Sequence, residues 1–135
     1  MRTEPQEVSK PSVEMVIRIP DGVIMSSSSA AIRDVICERL RQIIQEDFKP
    51  ENDDRYQNGE LEDAAYCYAA HATLSEQDRA TYSNAPPEWP FAPKWWKPTT
   101  PEGDLIKSAA LSIAALEVRY RAAVRKATAA AGDAE

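Results

Sequence analysis

Six prolines, at positions 86, 87, 90, 93, 98 and 101, punctuate a stretch that also holds Trp89, Trp95 and Trp96. Proline lacks a backbone N–H and fixes its own φ, so this stretch can enter neither a helix interior nor a central strand. The chain on either side must therefore fold as separate elements joined by a loop that costs little entropy to hold in one shape. Indole rings bury large areas. Trp89, Phe91 and Trp95 are expected to cap the open end of whatever the flanking segments build. Trp95 and Trp96 are adjacent, and in extended chain they point to opposite sides, so one can be core while the other faces a pocket.

The flanking segments read as helices. In SSSSAAIRDVICERLRQIIQED, with Ser28 or Ser29 as cap, Ile32, Val35, Ile36, Leu40, Ile43 and Ile44 share a face at a 3.6-residue period up to about Asp47. Lys49-Pro50 ends that helix. After a polar loop closed by Asn58-Gly59, a second helix presents Leu61, Ala64, Ala65, Tyr68 and Ala72, whose small side chains permit close helix–helix approach. A short extra turn or helix capped by Ser75 precedes the proline stretch. Thr100-Pro101 opens the last helix, with the apolar face Leu105, Ala109, Ile113, Leu116, Tyr120 and Val124. Upstream, two β-prone runs flank Pro20-Asp21-Gly22 and read as a β-hairpin that needs something to pack on. The expected fold is mainly α: a three-helix bundle with a short N-terminal β-hairpin and a long, ordered Pro/Trp-rich loop. Residues 1–12 are expected to be a flexible tail, 13–127 a single domain and 128–135 a frayed end.

Charge narrows the partners. The segment from Glu46 to Asp63 holds eight acids against Lys49 and Arg55, while the helix from Leu105 to Lys126 holds five bases against Glu117. A net charge of −6 argues against general nucleic-acid binding, which needs a continuous basic face. It leaves room for one local cationic site, or for an acidic surface that docks on a basic partner. No run is long and apolar enough to span a membrane, and a signal-peptide h-region is not evident. Cys37 and Cys67 read as reduced thiols of a cytoplasmic protein. Homo-oligomerisation stays open.

Polar residues that break the apolar pattern mark candidate sites. Arg39 and Glu46 fall in the sector of the first helix that also holds Ile32, Val35 and Ile43. A core-facing arginine must meet a carboxylate, either Glu46 or an acid of the next loop, or else a ligand. Glu60, Asp63, Cys67 and His71 form one stripe with metal-compatible spacing. One helix rarely supplies a whole ligand set, however, so a solvated or partner-facing stripe is expected. The E-x-x-D of Glu60 and Asp63, with Asp53-Asp54 upstream, carries half the magnesium-binding pattern of all-α nucleotide pyrophosphohydrolases. The preceding helix offers only Glu38 and Glu46, eight residues apart. No nucleophile elbow, P-loop or dinucleotide-binding glycine pattern occurs. In the loop, Trp95 or Trp96 beside Lys97, and near Lys107 and Arg39, could stack a base while the cations meet phosphate.

Taken together, Glu38-Arg39…Arg41-Gln42, Asp53-Asp54, Gly59-Glu60-Leu61, Tyr68, Trp89-Pro90, Trp95-Trp96-Lys97-Pro98 and Leu105…Lys107 resemble a family of small phage and prophage accessory proteins. The likeness covers about residues 36–121. It departs at Asn52, where the family has histidine, at Asp47, where it has glycine, and at Ser108-Ala109, where it has alanine-glycine. The resemblance implies a phage or prophage accessory role in a bacterial host.

The expected function is non-catalytic binding of a small, anionic, nucleotide-like ligand, a host immune signal among the candidates. Its site residues are Arg39, Glu46, Asp53, Asp54, Glu60, Trp95, Trp96, Lys97 and Lys107, with no cofactor. The alternative is an acidic interaction protein that inhibits a host defence complex. The third is a pyrophosphohydrolase, which alone would require magnesium.

Overall fold

In the computed structural model the described residues are 26–45 and 53–133, and all regular structure among them is helical. The expected hairpin, the 1–12 tail and Glu46 lie outside the described residues. Helix α1 spans Ser26–Gln45, α2 Glu60–Ala72, α3 Glu76–Thr81 and α4 Pro101–Asp133, with a 3₁₀ turn at Pro93–Trp95. Three long helices and a short one carry the mainly-α expectation. Helix α1 starts at Ser26, ahead of the expected serine caps. The alanine-rich end of α4 is helical to Asp133, as high alanine propensity favours.

Local signals set the boundaries. Gly59 precedes α2 with φ 87°, a left-handed conformation that disfavours any side chain. Ser75 Oγ accepts from the Asp78 N–H at 3.1 Å and caps α3. Thr100 Oγ1 accepts from the Gly103 N–H at 3.0 Å, and Pro101 occupies the first turn of α4.

Helices α2 and α4 make the core. Ala64 and Ala65 meet Ala114 and Ala115 in one buried cluster, and Ser108 Oγ donates to the Ala65 carbonyl at 2.7 Å across the contact. Leu61, Leu111 and Val118 fill the rest, with the Tyr68 and Trp96 rings closing one end.

Helix α1 packs on α4 differently from the expectation. Arg39 and Gln42 are its buried residues, while Ile32, Leu40 and Ile44 are exposed, Ile44 at 76%. On α4 the expected apolar face is also turned out: Leu105, Leu116, Tyr120 and Val124 are exposed, and Leu111, Ala114 and Val118 are buried instead. The reason is the α1–α4 contact itself, which is made by an ion-paired arginine. Burying Arg39 requires its carboxylates beside it, and they come from Glu117 on α4 and from Asp53. Docking α1 through Arg39 leaves Ile32 and Ile44 exposed, with Ile36 and Ile43 partly buried.

Candidate functional site

The Pro/Trp loop runs over the α2–α4 end and splits its tryptophans between two environments. Trp96 is 8% exposed and stacks on Tyr68 with ring centroids 4.7 Å apart. Trp89 meets Trp96 edge-on at 5.0 Å, and Phe91 meets Trp89 at 5.6 Å. The aromatic cap is therefore Trp89, Phe91 and Trp96; the expectation that Trp95 belongs to it is corrected. The 3₁₀ turn throws Trp95 outward to 40% exposure. The Lys94 and Lys97 ammonium groups lie over its ring at 5.2 and 5.5 Å from the centroid.

Trp95 walls a small cleft shared with Lys97, Lys107, Arg41, Gln42 and Tyr68. The loop is tied down around it. Tyr68 Oη accepts from the Lys97 backbone N–H at 3.1 Å, and the Lys107 ammonium donates to the Lys97 carbonyl. Lys107 also sits 5.5 Å from the Tyr68 ring centroid. Arg41, also in the cleft wall, pairs with Glu38 at 2.8 Å. Within the cleft, Gln42 is 2% exposed and its Oε1 has no hydrogen-bond partner. The cleft's free volume of about 20 Å³ accommodates one water-sized polar group.

Of the nine expected site residues, the cleft gathers Trp95, Lys97 and Lys107. Arg39 is elsewhere: its guanidinium donates to Asp53 Oδ2 at 3.0 Å and to Glu117. It has found an acid of the next loop, the first of the two alternatives open to it, plus a second carboxylate from α4. Glu117 and Asp53 together hold Arg39 above its ordinary value against the opposing pull of burial. For Asp53 burial wins and pushes its carboxyl up, because one guanidinium is its main partner and Oδ1 has none. Asp54 faces the other way. Its slight burial is outweighed by Arg121 at 2.8 Å and Arg125 at 3.1 Å, which hold its carboxyl low. Glu60 accepts from the Asn58 N–H at 3.4 Å at the start of α2. Asp53 and Asp54 thus hold α1 and α4 through their arginines, Glu60 stays at the start of α2, and none of the three lines the cleft.

The α2 stripe is corrected as well. Asp63 is exposed, but Cys67 and His71 are buried rather than solvated or partner-facing. His71 Nδ1 lies 2.8 Å from Asp104 Oδ2, and its Nε2 lies 3.3 Å from the Tyr82 carbonyl. Arg79 donates to the same Asp104 oxygen at 2.8 Å, and the Thr99 N–H donates to Asp104 Oδ1 at 2.8 Å. Burial, helped by Glu88 and Asp63, pushes the Cys67 thiol up to about 11, so it is protonated at neutral pH. Among the described residues no group of three His, Cys, Asp or Glu side chains is placed to hold a metal.

Behind the aromatic stack lies a groove of about 500 Å³ between α2 and the segment after α3, with Tyr66, Tyr82, Trp96, Pro86, Pro87 and Glu88 in its walls. Sequence reasoning missed this groove, because Tyr66 and Tyr82 fell outside both apolar faces and α3 was read only as a connector. It also missed Glu117, although that residue is the lone acid among the bases of 105–126. Comparison with family models, with curated proteins and with solved structures gave no match for this chain.

Proposed function

We propose that this protein binds a small anionic, nucleotide-like ligand at the Trp95 cleft without turning it over. The observation that carries the reading is the half-exposed Trp95 indole flanked by the Lys94 and Lys97 ammonium groups at the mouth of the cleft. A planar base can stack on Trp95 while phosphate meets Lys97 and Lys107. The ring and phosphates lie across the mouth, because the free volume within is only about 20 Å³. An amino or hydroxyl edge of the ligand fits there and supplies the donor that Gln42 Oε1 lacks.

The likeness of its motifs to small phage and prophage accessory proteins supports a ligand drawn from the nucleotide signals of a bacterial host, held by sequestration. The competing reading, an acidic surface that inhibits a defence complex, has less to work with. Asp53 and Asp54 are already neutralised by Arg39, Arg121 and Arg125.

A thermal-shift series with linear and cyclic nucleotides, with and without magnesium, tests the proposal. A ligand at a hundred times its Kd adds about 2.7 kcal/mol to the folded state. Trp95→Ala and Lys97→Ala should each remove that gain while leaving the unliganded midpoint nearly unchanged. No shift with any nucleotide overturns the reading. Magnesium-dependent consumption of the nucleotide would replace it with a pyrophosphohydrolase.

A further inference from the structure

The groove behind Trp96 differs from the cationic cleft in shape and in charge. Along α2 it runs from Tyr66 to Ala70, four apart on one helix face, and continues to Leu74 just beyond the helix end. At 1.5 Å per residue the helical part of that wall, Tyr66 to Ala70, spans roughly 6 Å, the span of about two residues of extended polyproline-type chain at 3.1 Å each. The opposite wall is Tyr82 and the Pro86-Pro87 pair. Tyr66 and Tyr82 are 63% and 62% exposed, so two large rings border the groove and face solvent.

Two polar features define what can lie there. Among the described residues that line it, Glu88 is the charged one and none is lysine or arginine. Burial first, then Glu88 and Asp63, push up the Cys67 thiol in the groove wall. Trp96, more than nine-tenths buried, lines the groove, and its buried indole N–H has no acceptor. An occupant must therefore offer apolar surface, a hydrogen-bond acceptor and positive charge, and must not be an anion. An extended peptide backbone supplies carbonyl acceptors at regular intervals, and aromatic walls are the recurring surface for proline-containing segments. The floor is rigid as well, since Asp104 ties His71, Arg79 and Thr99 together beneath it.

We propose that this groove is a peptide-docking site for an extended, proline-containing segment of a partner protein, with an arginine or lysine beside the apolar residues. Tyr66, Tyr82 and Pro86-Pro87 grip the apolar residues, Trp96 Nε1 donates to a peptide carbonyl, and Glu88 pairs with the basic side chain. The site is separate from the Trp95 cleft and does not depend on what that cleft binds.

The test is a titration of the ¹⁵N-labelled protein with the peptide Arg-Pro-Pro-Leu-Pro-Pro-Leu-Arg, and with the same peptide carrying glutamate in place of both arginines. The three indole N–H signals, assigned with single Trp→Phe variants, give the readout. A saturable shift of the Trp96 indole is expected, with the glutamate peptide bound about tenfold more weakly or worse. Tyr82→Ala should weaken binding by a similar factor; its side chain is exposed and its carbonyl bond to His71 survives. Trp95→Ala should leave the affinity unchanged. The proposal is overturned by no saturable change up to about 1 mM peptide, by equal affinity for the two peptides, or by a response confined to the Trp95 indole.

Discussion

Tyr68 walls the cationic cleft, Trp96 walls the apolar groove, and the two rings stack at 4.7 Å, so one aromatic pair separates two unlike recesses. On one side the free volume is about 20 Å³ and the charged wall residues are Lys97, Lys107 and the Arg41–Glu38 pair. On the other it is about 500 Å³ and the charged wall residue is Glu88. The cleft is small because Lys107 and Tyr68 both hold the Lys97 backbone against the helices. The groove is open because the 82–88 segment is held to α2 from below, through His71 and Asp104, rather than by side chains crossing it. One loop can thus present an anion-accepting face and an anion-rejecting face, and perturbations should sort by which face they touch.

The largest effect should come from the shared wall. Trp96→Ala removes a ring buried against Tyr68, Trp89 and His71 and should cost about 3–5 kcal/mol in urea unfolding. Both recesses would lose their shape together. Trp95→Ala, on a half-exposed ring, should cost less than about 1 kcal/mol and affect the cleft alone. Comparable costs for the two tryptophans would mean that the loop is a single packed unit and that the distinction between its faces is empty.

Asp104→Asn comes next and bears on the groove side. Asp104 is fully buried and accepts from His71, Arg79 and the Thr99 N–H. Asparagine keeps one acceptor oxygen but removes the charge opposite Arg79, and about 2–3 kcal/mol should be lost. The groove floor should loosen, read as faster amide exchange in the 82–88 segment, while any anion binding at Trp95 persists. Equal loss at both sites would show that the network supports the whole end of the bundle.

Much of the frame was legible in the sequence because it rests on local rules. Helix caps at Ser75 and Thr100, the left-handed Gly59 and the small face of α2 are each decided within a few residues. The α1 and α4 faces were misread for a non-local reason: periodicity finds an apolar stripe but cannot tell which stripe meets a neighbour. Arg39 tipped that choice, and its partners lie 14 and 78 residues away. The site was half legible. Trp95, Lys97 and Lys107 are close in sequence and came together, whereas Gln42 and the Tyr66–Tyr82 groove depend on how α1 and α3 dock.

The cysteines give a kinetic contrast of smaller energetic weight. Cys37 is exposed and Cys67 is buried in the groove wall with its thiol pushed up to about 11. Native protein at pH 8 should release one equivalent of chromophore rapidly from a disulfide reagent and the second only on unfolding. Cys37→Ser should abolish the fast phase. The linkage sign follows from the raised value: the neutral thiol's contribution is fully present below 9.0 and is lost as pH rises through about 11. A fast second equivalent would mean that the groove opens to reagent.

The smallest effect carries a sign that two adjacent residues should not share. Asp54 is held below its ordinary 3.8 by Arg121 and Arg125, so its contribution is present above 3.8 and fades as pH falls. Asp54→Asn should cost less than about 1 kcal/mol at pH 7, since the pair is partly solvated, and the gap to wild type should close on acidification. Asp53 is raised by burial despite Arg39, so the linkage is reversed: its contribution is present below 3.8 and is lost as pH rises through the folded value. The gap between wild type and Asp53→Asn should therefore widen on acidification, over the same pH range. Urea midpoints for the three proteins from pH 7 to pH 3 separate the two cases. If both gaps close together, Arg39 outweighs burial at Asp53, and the α1–α4 contact is a net electrostatic attraction rather than a buried charge tolerated for its geometry.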